Sequence, residues 1–282
     1  MEGWHLFFGY NTNGFAHHRL EDAVGILAAQ GYRGIAITPD VHHLNPFDSA
    51  YPERVAEFNE MLAERGLRCV VETGARFLLN AHFKHQPTPV SKTPEDRDYR
   101  FEFLSQDCVM LAKALSADCV SFWSGTPTDD AAPSRVMDRL VDQCVRLADF
   151  AGERGVKLAF EPEPGMFIDT MDKFAELHGR VNRPNFGLTV DIGHLVCQGE
   201  VPVSAHLVKW KDWLWNIHIE DMKPGVHDHL MFGEGNVDFA DVFAGLRSAG
   251  YENGVYVELS RHSHNAVETA RRSMEFLKKW GE

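Results

Sequence analysis

Four apolar runs in the second half of the chain each close on a metal-liganding side chain: LAFE at 158–161, GLTVD at 187–191, WNIH at 215–218 and VYVE at 255–258. Each run is short and almost wholly apolar, as a buried strand should be. Each leads into Pro, Gly, Ser or a charged turn. Glu161, Asp191, His218 and Glu258 together make a complete donor set for one divalent cation. If the four strands are neighbours in one parallel sheet, the four side chains converge at its C-terminal edge. That edge is where parallel α/β proteins build their sites.

Outward from these runs, short strand candidates alternate with amphipathic helices along the whole chain. Strands are expected at 4–8, 34–37, 68–72, 119–122, 157–160, 186–190, 215–219 and 254–259. Helices are expected at about 19–30, 52–65, 99–115, 134–154, 171–180, 203–212, 239–249 and 264–280. Several stop on glycine, the usual C-terminal signal, as at Gly31, Gly66 and Gly155. Strict βα alternation means a parallel sheet, and eight units suffice to close it into a (β/α)8 TIM barrel. The chain's 282 residues suit one such barrel as a single domain over 1–282. An open doubly wound sheet is the alternative, but its first turn would carry GxGxxG and here reads GYNTNG. The polar stretch 80–95 is expected to be an enlarged loop over the barrel mouth.

Composition narrows the function classes. Hydrophobic residues make up 44%, enough for a large core, and the formal net charge is -13. That charge argues against broad binding of nucleic acid or of an anionic membrane surface. The five cysteines are scattered without CxxC spacing and read as buried reduced thiols. No segment approaches the ~20 apolar residues of a membrane helix, and the N-terminus lacks a signal-peptide pattern. A cytoplasmic protein without a membrane or nucleic-acid partner is expected.

The donor set suggests a chemistry. Four protein ligands in an octahedral site leave two positions, which a vicinal carbonyl and hydroxyl of a sugar fill. Such a cation lowers the pKa of the adjacent C–H. Glu161 and Glu258 on opposite faces of the substrate then act as proton acceptor and donor through a cis-enediolate. A single carboxylate at a strand end is ordinarily a helix N-cap or a surface charge. Four metal-type residues on four successive strand ends are not.

LAFEPEP at 158–164, GLTVDIGHL at 187–195, NIHIEDMK at 216–223, FGEGNVDF at 232–239 and GYENGVYVELS at 250–260 resemble the xylose-isomerase-like TIM-barrel superfamily. That superfamily holds sugar isomerases and epimerases and also the endonuclease IV type of nuclease. The resemblance implies that Glu161, Asp191, His218 and Glu258 bind the metal and that the two glutamates are the acid/base pair. One cation is implied, with Mn²⁺ the leading expectation and Mg²⁺, Co²⁺ or Zn²⁺ the alternatives. His194 matches the DxxH pattern and is implied to contact a substrate hydroxyl. His227 and His229 stand where the nuclease branch carries an Asp-x-His pair. A second metal on His194, His227 and His229 is the lesser expectation for them, and substrate contact through His229 the greater.

The nuclease branch also needs histidines after strands three and four. VVETGARF and SFWSGTP contain none; His42 and His43, after strand two, are substitutes at best and are expected instead to be substrate or surface groups. Weaker candidates for substrate contact are Trp123, stacking on a sugar face, Glu163, and Arg261, which either binds a substrate anion or caps the last helix. Lys84, His85 and Lys92 lie on the long polar loop. No glycine-rich phosphate cup follows strands seven and eight, which favours an unphosphorylated sugar.

The leading expectation is a metal-dependent isomerase or epimerase of a sugar or sugar-derived ketone. A lyase or dehydratase of keto-sugars or keto-glycosides is second, a phosphodiesterase third, and a non-catalytic binding barrel last. The resemblance also implies a homo-oligomer, dimer or tetramer.

Overall fold

The computed structural model describes residues 5–280. Eight parallel strands close into a barrel: β1 (Phe7–Asn11), β2 (Gly34–Ile37), β3 (Arg68–Glu72), β4 (Val120–Phe122), β5 (Leu158–Phe160), β6 (Phe186–Asp191), β7 (Leu214–Ile219) and β10 (Gly254–Val257). They follow one another around the wall in chain order, and β10 pairs with β1 to complete the ring. The remaining two strands, β8 (Asp221–Lys223) and β9 (Val226–Leu230), form an antiparallel hairpin after β7. The expected (β/α)8 barrel is therefore the fold. No described helix is long and apolar enough to cross a membrane.

The strand period of two sets the interior. Val70 and Glu72, Ala159 and Glu161, Thr189 and Asp191, Asn216 and His218, and Tyr256 and Glu258 are each two residues apart, so both members of a pair point inward. The lower members build a core of Val70, Ala159 and Tyr256 with Phe7, Ala36 and Cys119. The Tyr256 ring fills the floor because β1, β2 and β10 carry glycine beside it; a Cβ at Gly9, Gly34 or Gly254 would collide with that ring. A polar layer lies above: Thr189 Oγ1 donates to Ser121 Oγ at 2.9 Å, and Asn216 Nδ2 to Thr189 Oγ1 at 3.4 Å. The upper members then project into the mouth.

The helices cover the outside: α1 (Leu20–Ala29), α2 (Tyr51–Arg65), α3 (Pro94–Glu102), α4 (Met110–Ala114), α5 (Pro133–Gly152), α6 (Met171–Val181), α7 (Ile192–Gln198), α8 (Val203–Lys209), α9 (Phe239–Ala249) and α10 (Ala266–Leu277). Phe122, Phe160, Phe174 and Phe186 pack ring to ring at 5.2–6.3 Å, clamping the ends of β4, β5 and β6 against α6. This clamp sits directly beneath Trp123 and Glu161 in the chain. The cysteines are buried and free, as expected.

Several boundaries differ from the sequence expectation. β1 runs three residues later than the expected strand 4–8, whose first residue, Trp4, lies outside the described residues. The third helix starts at Pro94 rather than near residue 99, because Thr93 caps it by accepting from Asp96 N. A π-helical stretch, Phe103–Val109, then joins α3 to α4. The segment 192–198 is a helix and the loop after β7 a hairpin; neither was expected. The last helix begins at Ala266 after a 3-10 turn over Ser260–Asn265.

Candidate metal centre

The four expected ligands meet in the barrel mouth. His218 Nδ1 lies 3.0 Å from Glu161 Oε1 and 3.0 Å from Glu258 Oε2. Asp191 is both a strand end and the N-cap of α7: its Oδ1 accepts from His194 N at 2.8 Å. Its Oδ2 is buried without a hydrogen-bond partner. One donor atom from each of Glu161, Asp191, His218 and Glu258 lies within 4.8 Å of all the others. Three carboxylates crowded around one imidazole, with one oxygen orphaned, suit a bound cation. The donor set, one nitrogen and several oxygens, is that of a hard or borderline divalent ion.

A fifth strand end completes the centre, and the sequence reading missed it. Glu72 closes β3 and reaches across the barrel, where its Oε1 accepts from His218 Nε2 at 2.8 Å. Asn216 Nδ2 also donates to Glu72 Oε1, at 3.2 Å. With Nε2–H bound to Glu72, the Nδ1 face of His218 is the one aimed at the other carboxylates. Metal-binding histidines ordinarily donate their second nitrogen to such a carboxylate.

The environment drives the two glutamates apart. Burial lifts the Glu161 carboxyl to about 8, against the opposing pull of His218. Burial also acts to raise Glu258, but the charge and hydrogen bond of His218, with His229 and Asn13, hold it well below the usual carboxylate range. Asn13 Nδ2 donates to Glu258 Oε1 at 2.8 Å. Burial would lower His218, yet Glu72, Glu161 and Glu258 outweigh it and raise that imidazole well above its ordinary value. Paired carboxyl groups held apart in this way are the usual equipment of acid/base catalysis.

Beside this centre stand three histidines. His194 Nε2 and His227 Nε2 are 3.0 Å apart, and the His229 ring lies 5.7 Å from that of His194 and 5.4 Å from that of His227. Donor atoms of the three lie within 4.8 Å of one another, and so do those of Asp191, Glu220 and His229. Burial lowers His194 to about 4. His229 rises to about 10, because Glu220 outweighs burial. The hairpin β8–β9 brings His227 and His229 over the mouth, a placement the expected loop did not specify.

The weaker candidates separate. Trp123 and Glu163 line the same pocket, as do Lys84 and His85. His85 packs against Trp123 with ring centroids 5.1 Å apart. Arg261 also lines it but is held by Asp228 at 2.6 Å and caps no helix. Lys92 is not among the lining residues. His43 is turned away, with its Nε2 2.9 Å from His18 O.

A family model described as xylose isomerase-like TIM barrel matches residues 24–280. The chain belongs to this family. An inosose dehydratase from Geobacillus thermodenitrificans is 24% identical over 250 residues, covering 81% of this chain and 82% of that protein. The L-ribulose-5-phosphate 3-epimerase UlaE of Salmonella paratyphi C is 29% identical over 212 residues, 74% of each chain. Among solved structures, the IOLI protein with a binding zinc atom superposes with a TM-score of 0.78 at 18% identity, over 98% of this chain and 99% of that one.

Proposed function

We propose that the chain is a divalent-metal-dependent epimerase or isomerase of a ketose or sugar-derived ketone. The observation that carries the reading is the placement of Glu161 and Glu258, each 3.0 Å from His218 Nδ1, directly after β5 and β10. Glu161, Asp191, His218 and Glu258 would hold the cation, Mn²⁺ foremost given the oxygen-rich set. When bound, it supplies Lewis acidity to the substrate carbonyl and the hydroxyl beside it.

The chain's own residues do the rest. Glu258, kept ionised, takes the proton from the carbon next to the carbonyl. Glu161 is the partner that returns a proton to the opposite face of the enediolate. In the reverse direction the roles exchange. His194 and Glu163 contact substrate hydroxyls, and Trp123 offers an apolar face to the sugar ring. The UlaE relative supports epimerisation at the carbon next to the carbonyl.

A dehydratase is the second reading. It is favoured by the inosose dehydratase relative and by His229, whose protonated form Glu220 favours beside His194 and His227 and which could protonate a departing hydroxyl. A phosphodiesterase is disfavoured, because Glu72 and Trp123 stand where early-strand histidines would be needed. The reduced, buried thiols agree with a cytoplasmic site of action.

The test is incubation of the metal-loaded protein with ketoses and inososes in D2O. Deuterium at the carbon next to the carbonyl with formation of the epimer supports the first reading. Net loss of water supports the second. Neither deuterium uptake nor product from any keto-sugar would refute both.

A further inference from the structure

We infer that the substrate carries an anionic group, a phosphate ester or a carboxylate, and that Arg76 and Lys84 hold it. This rests on the sugar-enzyme reading above and names its substrate class.

β3 leads from Glu72 into a loop that is fixed at both ends. His85 N donates to Arg76 O at 2.6 Å, and Leu78 N to Ala75 O at 3.2 Å. Inside it, Asn80 Oδ1 accepts from His82 N at 2.9 Å and Phe83 N at 3.0 Å. Ala75 and His85 have φ of 40° and 67°, the left-handed region that non-glycine residues avoid. Backbone held in that region by its surroundings is common at ligand clamps. The loop thus presents Arg76 and Lys84 to the pocket in a set geometry, and both line it.

Neither cation has an acidic partner among the described residues. Arg76 Nη2 donates to the Asn13 carbonyl at 3.0 Å, which leaves its other nitrogens available. Elsewhere the exposed arginines are mostly paired, as in Arg68–Asp118, Arg146–Asp98 and Arg183–Asp149. Most lysines here lack an acidic partner among the described residues; what sets Lys84 apart is that it and the unpaired Arg76 line one cavity.

An independent observation lies behind the same wall. Arg100 is 1% exposed, and its Cζ sits 4.7 Å from the centroid of the Trp123 ring. Its Nη2 donates to Thr73 O at 2.9 Å, while Nε and Nη1 have no hydrogen-bond partner. A buried guanidinium without a carboxylate adds positive potential to the β3–β4 side of the pocket. Neutralising the carboxylate floor is the competing role for these cations. That role would turn Arg76 toward Glu72 or Glu258, whereas its one hydrogen bond goes to a backbone carbonyl. A glycine-rich cup after strands seven and eight is absent from the sequence; here the anion device is built on β3 instead.

The test compares three substrates on the metal-loaded protein: a neutral ketopentose, its terminal phosphate ester and the corresponding terminal carboxylate. One charged form should exceed the neutral ketose in kcat/KM by about tenfold or more, and Lys84→Met and Arg76→Gln should each cut that preference by about tenfold, chiefly through KM. Which charged form leads identifies the group. Use of the neutral ketose as well as or better than both charged forms would overturn the anion site and leave the epimerase reading standing. If no ketose reacts, calorimetry with glycerol 3-phosphate and with glycerate decides. Binding weakened about tenfold by Lys84→Met, whose exposed side chain has no hydrogen bond or ion pair among the described residues, supports the anion site without the epimerase reading. Binding that is absent, or indifferent to both substitutions, overturns the site.

Discussion

Replacing Glu72 should weaken metal binding although Glu72 is not one of the four proposed ligands. Its carboxylate is 6% exposed and accepts from His218 Nε2 at 2.8 Å, the length of a charge-assisted bond. Glu72→Gln keeps the shape and one acceptor oxygen but removes the charge that polarises the imidazole. Glu72→Ala removes the acceptor as well. The nearest polar atom to Nε2 is then Asn216 Nδ2 at 3.2 Å, also a donor. Two donors face to face favour the tautomer protonated on Nδ1, whose lone pair is then lost to the metal. Loss of such an outer partner typically costs 10–100-fold in metal affinity, so we expect about tenfold for Gln and toward ~100-fold for Ala, or ~1.4 to ~2.7 kcal/mol. Calorimetric metal titration measures the affinity, and the ¹⁵N shifts of His218 report the tautomer. Wild-type affinity in both variants, with an unchanged His218 spectrum, would refute the coupling.

Glu161→Gln and Glu258→Gln should each abolish turnover with the fold intact by circular dichroism; near-normal activity in either would remove it from the acid/base pair. Glu161, lifted to about 8 in the metal-free protein, must lose its proton to bind a cation. Metal affinity should therefore climb from about pH 6 to about pH 8 with proton release, visible as a buffer-dependent heat; a flat profile would contradict the shift. By linkage, a carboxyl whose folded pKa is raised contributes stability that is full below its unfolded value and is lost as pH rises through the folded one. The metal-free protein should accordingly melt at lower temperature at pH 8 than at pH 6, and bound metal should reduce the difference. His194→Ala should raise KM more than it weakens metal binding, and an equal loss of both would assign that imidazole to a metal. Gly193→Ala should destabilise the α7 end of the site, because its Cβ would overlap Glu220 Oε1; unchanged thermal stability would show that Glu220 can move away.

What the sequence made legible is what lies along a strand. The alternation of inward and outward residues places Glu161, Asp191, His218 and Glu258 at one edge from local pattern alone. Neighbouring strands then bring Asp191 opposite His218 in register. Glu72 obeys the same rule, since RCVVE closes on a carboxylate just as LAFE does. Its role was invisible because β3 lies four strands from β7 around the wall, and only closure of the barrel sets one across from the other. The same limit hid Arg76 and Arg100. A guanidinium in a loop and another in a helix carry no mark in the chain that they share one side of a pocket. Short elements were lost for a different reason. α7 is seven residues long, about two turns, too few for periodicity to show, and its N-cap is the proposed ligand Asp191 itself. That double use has a consequence for the site: the hydrogen bond that starts α7 also fixes Asp191 Oδ1, so only Oδ2 is left for a cation. The helix that carries His194 is thereby tied to the proposed metal ligand it follows. A substitution of Asp191 should displace His194 along with the metal, whereas Glu258 caps no helix, and its replacement should release only the side chains of Asn13 and His218.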